Sequence, residues 1–141
     1  MSPFLCVNFN MKRIRVVAID DVSDILDLIQ YNLNKEGMDV DIYTNSAAAL
    51  NAISQKPPDI VLSDWMMPSP NGLEVCEALR SDPKTESIPL IMLTCRGSIH
   101  DYKDAMNAGA QDYVVKPVRM DELIRRIKLL LPRDLQRVKF A

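Results

Sequence analysis

Ionisable and hydroxyl side chains follow four short apolar runs of this sequence. They are the pair Asp20 and Asp21, then Asp64, Thr94 and Lys116. If the fold brings three carboxylates together, each pair about 4 Å apart repels by roughly 4 kcal/mol at an effective dielectric of about 20, more than one lysine offsets. A divalent cation offsets this repulsion, and a few carboxylates completed by water are typical of Mg²⁺ rather than of Ca²⁺. The residue types therefore predict a magnesium site.

A magnesium site with an ammonium and a hydroxyl beside it can hold a phosphoryl group. Mg²⁺ and Lys116 would neutralise the phosphoryl oxygens, and the hydroxyl of Thr94 would donate a hydrogen bond to one of them. One of the carboxylates can itself be the nucleophile, and its attack on phosphorus would give an aspartyl phosphate. This chemistry requires all five side chains to lie at one place in the fold.

Short apolar runs alternate with amphipathic stretches along the chain. The runs predict five strands, at 14–19, 40–44, 60–64, 90–94 and 112–115. Helical spacing of apolar residues predicts a helix after each strand. The predicted helix N-caps are Ser23, Ser46 and Ser98, and the predicted helix ends are at Gly37 and Gly109.

Five strand–helix pairs with nearly continuous apolar strands predict an α/β fold. Such strands are typical of a doubly wound five-stranded parallel sheet with helices on both faces. Sites in such sheets lie at the carboxyl ends of the strands, where the candidate residues are found. We expect one domain over 12–131, preceded by an N-terminal extension at 1–11 and followed by a C-terminal tail at 132–141.

Composition narrows the class of protein. Of 141 residues, 48% are hydrophobic and 26% are charged, which excludes a disordered chain. A net charge of -2 speaks against direct binding to nucleic acid. Three cysteines without metal-ligand spacing predict free thiols and a cytoplasmic protein. The apolar runs are far shorter than the roughly 20 residues of a membrane helix, so we expect no membrane association.

Several motifs, in order and at characteristic spacing, resemble one family. They are Asp20-Asp21, the run from Leu62 through Asp64 to Pro68, the pair Asn71-Gly72, Thr94, and Tyr113 followed by Lys116-Pro117. Over 12–131 the chain resembles the receiver domain of bacterial two-component response regulators of the chemotaxis type. The resemblance implies a flavodoxin-like sheet with strand order 2-1-3-4-5.

The resemblance also implies a role for each site residue. Asp64 is expected to be the phosphoacceptor, and Thr94 and Lys116 are expected to contact the phosphoryl group. The implied Mg²⁺ ligands are Asp20 (mainly through water), Asp21, Asp64 and the backbone carbonyl of Met66. Thr94 and Tyr113 would form the switch, and the Lys116–Pro117 peptide would be cis.

The implied function is a phosphorylation-controlled switch rather than an enzyme, although the domain would assist its own phosphorylation and dephosphorylation. A sensor histidine kinase or a histidine phosphotransfer protein would donate the phosphoryl group. The signal would pass to a downstream protein target or to a lost output domain.

Two alternatives remain open at this point. One is an aspartyl-phosphate phosphatase of the haloacid-dehalogenase kind, although the first strand lacks the Asp-x-Asp pattern of that class. The other is a pseudo-receiver that binds partners without phosphorylation. Cys95, where the family usually has Ala or Gly, predicts an altered phosphorylation rate.

Overall fold

A computed structural model describes residues 13–95 and 99–131, without the side chains at 99 and 100. Ten elements alternate along the described chain: β1 (Arg15–Ile19), α1 (Ser23–Lys35), β2 (Asp39–Tyr43), α2 (Ser46–Gln55), β3 (Ile60–Asp64), α3 (Gly72–Arg80), β4 (Leu90–Thr94), α4 (Ile99–Ala108), β5 (Asp112–Val115) and α5 (Met120–Leu130). The predicted extension at 1–11, the tail at 132–141 and the Ser98 cap lie outside the described residues.

The five strands form one parallel sheet in the order β2-β1-β3-β4-β5. This confirms the expected doubly wound fold and its strand order. Ile19 of β1 pairs with Ser63 of β3, and Asp64 pairs with Leu93 of β4. Thr94 in turn pairs with Val115 of β5. The register therefore brings the carboxyl ends of four strands level with one another.

Alternate strand residues build two hydrophobic cores, one on each face of the sheet. On one face Ala18 and Leu62 pack with α1 and α5 through residues such as Leu26, Leu123 and Ile127. On the other face the strands pack with α2, α3 and α4, through a cluster that contains Ile53, Leu79, Ala105, Trp65 and Tyr113. Burial of both faces explains why the strands are apolar without a period of two.

Two of the predicted helix caps are wrong. The N-cap of α1 is Val22 rather than Ser23, and its backbone N–H donates to Oδ1 of Asp20 at 2.9 Å. The N-cap of α2 is Asn45 rather than Ser46, and its side chain accepts from the N–H of Ala48 at 2.9 Å. At α2, Asn45 and Ser46 are both good cap residues, so local sequence does not distinguish them. At α1 the cap residue Val22 makes no side-chain cap hydrogen bond.

The predicted helix ends at glycine are confirmed. Gly37 follows α1 with φ of 87° and Gly109 follows α4 with φ of 105°, in the left-handed region that favours glycine. Within the described residues, no helix is both long and apolar enough to cross a membrane.

Candidate functional site

Three carboxylates meet at the carboxyl end of the sheet. Asp20 and Asp21 follow β1, and Asp64 is the last residue of the adjacent strand β3. Each offers an oxygen atom within 4.8 Å of those of the other two. Asp20 is fully buried and Asp64 nearly so, at 0% and 5% exposure, whereas Asp21 is exposed to solvent. The fold therefore brings these three acids to one place, as their positions along the chain predict.

Lys116 reaches this cluster from the other side. Its Nζ lies 2.7 Å from Oδ2 of Asp20 and 3.3 Å from Oδ1 of Asp64. The backbone N–H of Lys116 donates to the carbonyl of Thr94 at 2.7 Å, which ties the β5 end to the β4 end. The Lys116–Pro117 peptide is cis, as the family resemblance implied.

Burial and charge perturb the ionisation of both partners. Burial raises the pKa of Asp64, and the negative charge of Asp20 raises it further. Lys116 lowers the pKa but does not cancel these two effects, so the pKa of Asp64 stays above its usual value. Burial favours the neutral amine of Lys116, but its hydrogen bond to Asp20 and the charges of both carboxylates outweigh burial. The pKa of Lys116 is therefore raised, and the ammonium is retained at neutral pH. Three carboxylates and one ammonium leave an excess of negative charge.

The donor set fits a hard divalent cation. Carboxylate oxygens from three residues within 4.8 Å are of the type and spacing that Mg²⁺ accepts, and the exposed Asp21 leaves the cluster open to water. A divalent cation would also cancel the excess charge. Met66 lies two residues beyond Asp64, with its side chain 59% exposed. The role of the Met66 carbonyl stays a prediction.

Thr94 is the last residue of β4, next to β3 in the sheet, and is fully buried. The exposed residue that follows it is Cys95. Because it is exposed, Cys95 does not pack as a small apolar residue inside the sheet core. Arg96 and the side chain of His100 lie outside the described residues.

Tyr113 lies apart from the carboxylate cluster, in the core between the sheet and α4. Its ring makes edge-to-face contacts with Trp65, 6.2 Å between centroids, and with Tyr102 of α4, 5.9 Å between centroids. Trp65 follows Asp64 directly and is 3% exposed. The sequence alone does not reveal this contact, in which the ring of Trp65 connects the residue after Asp64 to the predicted switch tyrosine.

The loop between β3 and α3 is fixed at both ends. The N–H of Trp65 donates to the carbonyl of Leu93 at 3.1 Å, and the N–H of Gly72 donates to the carbonyl of Trp65 at 3.0 Å. Asn71 and Glu74 form a capping box at the start of α3. A Cβ at Gly72 would lie 2.5 Å from the carbonyl oxygen of Asp64, so only glycine allows α3 this close to the site.

Comparison with known proteins assigns the family. A model of the response regulator receiver domain matches residues 16–128, and the chain therefore belongs to the response regulator receiver family. It is a receiver domain of two-component signalling, and it acts as a signalling switch. Domains of this family bind Mg²⁺ through acidic residues, consistent with the cluster described above.

The chain is similar to a longer curated protein of this family. It is 38% identical over 119 residues to the phosphate regulon transcriptional regulatory protein PhoB of Rhizobium meliloti, over 84% of this chain and 52% of that protein. The chain thus spans about half the length of this curated relative.

Solved structures with the same fold include chains that this chain covers over nearly their full length. The chemotaxis protein CheY4 of Vibrio cholerae superposes with a TM-score of 0.81 at 26% identity, over 85% of this chain and 100% of that one. A putative response regulator of Chloroflexus aurantiacus gives a TM-score of 0.80 at 29% identity, over 84% of this chain and 98% of that one.

Proposed function

We propose that Asp64 accepts a phosphoryl group and that this event controls the surface the domain presents to partners. The observation that carries the proposal is the difference between the two buried carboxylates. Asp20 is engaged at both oxygens, since Oδ1 accepts from the N–H of Val22 and Oδ2 from Lys116. Asp64 receives Lys116 at Oδ1 and, in the described part of the chain, no donor contacts its Oδ2. Asp64 thus keeps an oxygen for attack on phosphorus.

The transfer is a substitution at phosphorus. An oxygen of Asp64 forms the new P–O bond while the P–N bond of a phosphohistidine breaks, and the leaving imidazole takes a proton from solvent. Lys116 pairs with a phosphoryl oxygen as negative charge moves onto the group, and the Thr94 hydroxyl donates to another. Asp20 keeps Lys116 charged and directed at the site.

The residues proposed to hold Mg²⁺ are Asp20, Asp21, Asp64 and the carbonyl of Met66. The ion, when bound, would screen the carboxylates and the phosphoryl oxygens from each other. Asp21 is the exposed member of the cluster, so it can bind the ion without breaking a contact to Lys116. Asp20, in contrast, is held by two donors, the N–H of Val22 and Lys116. We therefore assign Asp21 as a direct ligand and Asp20 mainly to contact through water.

The proposed donor is a sensor histidine kinase or a histidine phosphotransfer protein in the cytoplasm. The proposed recipient of the signal is a downstream protein or an output domain, as the greater length of the regulator from Rhizobium meliloti suggests. In the proposed switch, the phosphoryl group draws the Thr94 hydroxyl inward and favours the buried position of Tyr113. This is a shift between two existing populations.

The test is phosphorylation by acetyl phosphate in the presence of Mg²⁺, followed by intact mass. The wild type is expected to gain one phosphoryl group and Asp64→Asn none. Asp39→Asn is the matched control, because Asp39 is an exposed acid at the opposite end of the sheet. Labelling of Asp64→Asn would show that another residue accepts the phosphoryl group. Full labelling in excess EDTA would show that phosphorylation does not require a metal ion.

The same experiment separates the alternatives. A folded wild type that takes up no phosphate from acetyl phosphate or from a kinase is the result expected of a pseudo-receiver. Repeated turnover of a phosphomonoester is the result expected of a phosphatase. The family assignment favours neither of them.

A further inference from the structure

The first turn of α2 faces the loop that follows Asp64. Ser46, the first residue of α2, is 6% exposed, and its hydroxyl donates to the carbonyl of Pro70 at 2.6 Å. Capping of α2 is already provided by Asn45, so the Ser46 hydroxyl is not used within its own helix. The hydrogen bond instead joins α2 to a loop 24 residues further along the chain.

Other hydrogen bonds of this loop lead to α3 and to the sheet. The hydroxyl of Ser69 donates to Glu74 at 3.1 Å, and the N–H of Asn71 donates to the same carboxylate at 2.8 Å. The Ser46 bond comes from the opposite side. It closes one side of a cavity of about 120 Å³ whose lining includes Asp21, Met67 and Pro68. A proposed metal ligand and the loop that carries the Met66 carbonyl therefore face each other across this cavity.

We propose that Ser46 is a positioning residue for the magnesium site. Backbone hydrogen bonds hold Trp65 to the sheet and Met67 to Trp65, and the Ser46 bond adds a contact from α2 at Pro70. The Ser46 hydroxyl holds the loop against α2 and thereby fixes the distance between the Met66 carbonyl and the carboxylate of Asp21. Ser46 acts through the loop and is not a ligand. This inference rests on the proposed function, because it assumes that those two groups bind Mg²⁺.

The experiment removes the hydroxyl and compares metal affinity with stability. In Ser46→Ala the dissociation constant for Mg²⁺, measured by calorimetry, is expected to rise about five-fold, which is the effect of one ordinary hydrogen bond. Amide hydrogen exchange at Met66, Met67 and Ser69, the residues of 66–70 that are not proline, is expected to quicken in metal-free protein. Ser46→Thr keeps the hydroxyl and is expected to recover most of the affinity.

Thr85 offers a matched control. Its hydroxyl is also buried and donates to a backbone carbonyl, that of Leu79 at 2.8 Å, at the end of α3 away from the loop. Thr85→Val is expected to lower the melting temperature about as much as Ser46→Ala and to leave Mg²⁺ affinity within about two-fold.

Each outcome decides the question. If both variants lose similar stability and neither changes Mg²⁺ affinity or exchange at 66–70, Ser46 is only structural and the inference is overturned. If wild type binds no Mg²⁺, or if Asp64→Asn binds it as wild type does, the proposed function fails and the inference fails with it.

Discussion

The two ends of the sheet treat their carboxylates differently. Near the amino end the acids have separate donors: Asp39 pairs with Arg13 at 2.8 Å, and Asp59 accepts from the N–H of Arg15 at 2.8 Å. Asp41, in the middle of β2, pairs with the side chain of Arg15 at 3.5 Å. Asp39 and Asp41 are also more than half exposed, so water stabilises their charge.

At the carboxyl end three carboxylates share one ammonium, and two of them are buried. Burial stabilises the apolar strand residues, whereas at this end of the sheet it raises the pKa of Asp64. An arrangement that maximised stability would resemble the amino end. The carboxyl end therefore keeps uncompensated negative charge that a ligand can neutralise.

The largest expected effect is on metal affinity. Asp21→Ala is expected to weaken Mg²⁺ binding at least ten-fold, about 1.4 kcal/mol, because it removes the exposed ligand. Asp20→Ala is expected to have a smaller effect, since Asp20 is held by Val22 and Lys116. Calorimetric titration measures both, and Asp39→Ala at the amino end is the control. Equal losses in all three variants would remove the distinction between the two ends.

The next effect is on stability without metal. Asp64→Asn removes a buried charge, so in EDTA it is expected to stabilise the domain by about 1 kcal/mol and to raise the melting temperature by about 4 °C. Asp39→Asn removes a paired charge and is expected to be neutral or slightly destabilising. Thermal unfolding followed by circular dichroism measures both changes. Added Mg²⁺ is expected to stabilise the wild type more than Asp64→Asn.

The stability difference at Asp64 has a defined pH dependence. Because the pKa of Asp64 is raised above its usual 3.8 in the folded state, its ionised form destabilises the fold. That cost is absent below the unfolded-state pKa and complete above the folded-state pKa. The advantage of Asp64→Asn is therefore expected to shrink as the pH falls from 7 toward about 4. An advantage that is constant with pH would mean that charge is not its cause.

A smaller effect is expected at the mouth of the site. Cys95 is exposed directly after Thr94, and we expect its thiol to narrow the approach to Asp64. Cys95→Ala is expected to speed both phosphorylation by acetyl phosphate and dephosphorylation by a few-fold, about 1 kcal/mol of barrier or less. Mass spectrometry over time measures both rates.

Thiol alkylation provides an internal control for Cys95. In a Cys6→Ser background Cys95 is expected to react and to be protected by beryllofluoride. Cys76 is expected to remain unmodified, because it is buried, donates to the carbonyl of Ala108 and has a pKa raised by burial. Unchanged rates in Cys95→Ala together with an unreactive thiol would exclude the gating role.

The smallest effect is expected at the amino end. Arg13→Ala breaks an ion pair whose two side chains are 55% and 56% exposed, so it is expected to cost less than about 0.5 kcal/mol. The cost should vanish at about 1 M salt, where exposed charges are screened. Chemical denaturation measures it at both salt concentrations. If Arg13→Ala lowered the free energy of unfolding by as much as Asp64→Asn changes it, the charges at the two ends of the sheet would contribute to stability alike.

The order of strands and helices was predictable because it depends on local pattern. Each strand is a short apolar run, and the candidate residues Asp20, Asp21, Asp64, Thr94 and Lys116 lie at the ends of such runs. Parallel pairing then places strand ends together, which is why Asp20, Asp64 and Lys116 could be grouped from the sequence alone. The strand order itself came from the family resemblance, since apolar periodicity does not specify which strands are neighbours.

The tertiary structure decided what distant groups do to one another. Local sequence does not reveal that Val22 and Lys116 occupy both oxygens of Asp20, and this contact is what singles out Asp64. It does not reveal that the rings of Trp65 and Tyr113 are in contact. Nor does it reveal that the Ser46 hydroxyl donates to the Pro70 carbonyl while Asn45 caps the helix. Residue types and spacing determined which chemistry was available at the strand ends. The contact of Lys116 with Asp20, between residues 96 positions apart, helped to determine which atom is left to perform it, because hydrogen bonds and burial depend on distance in space.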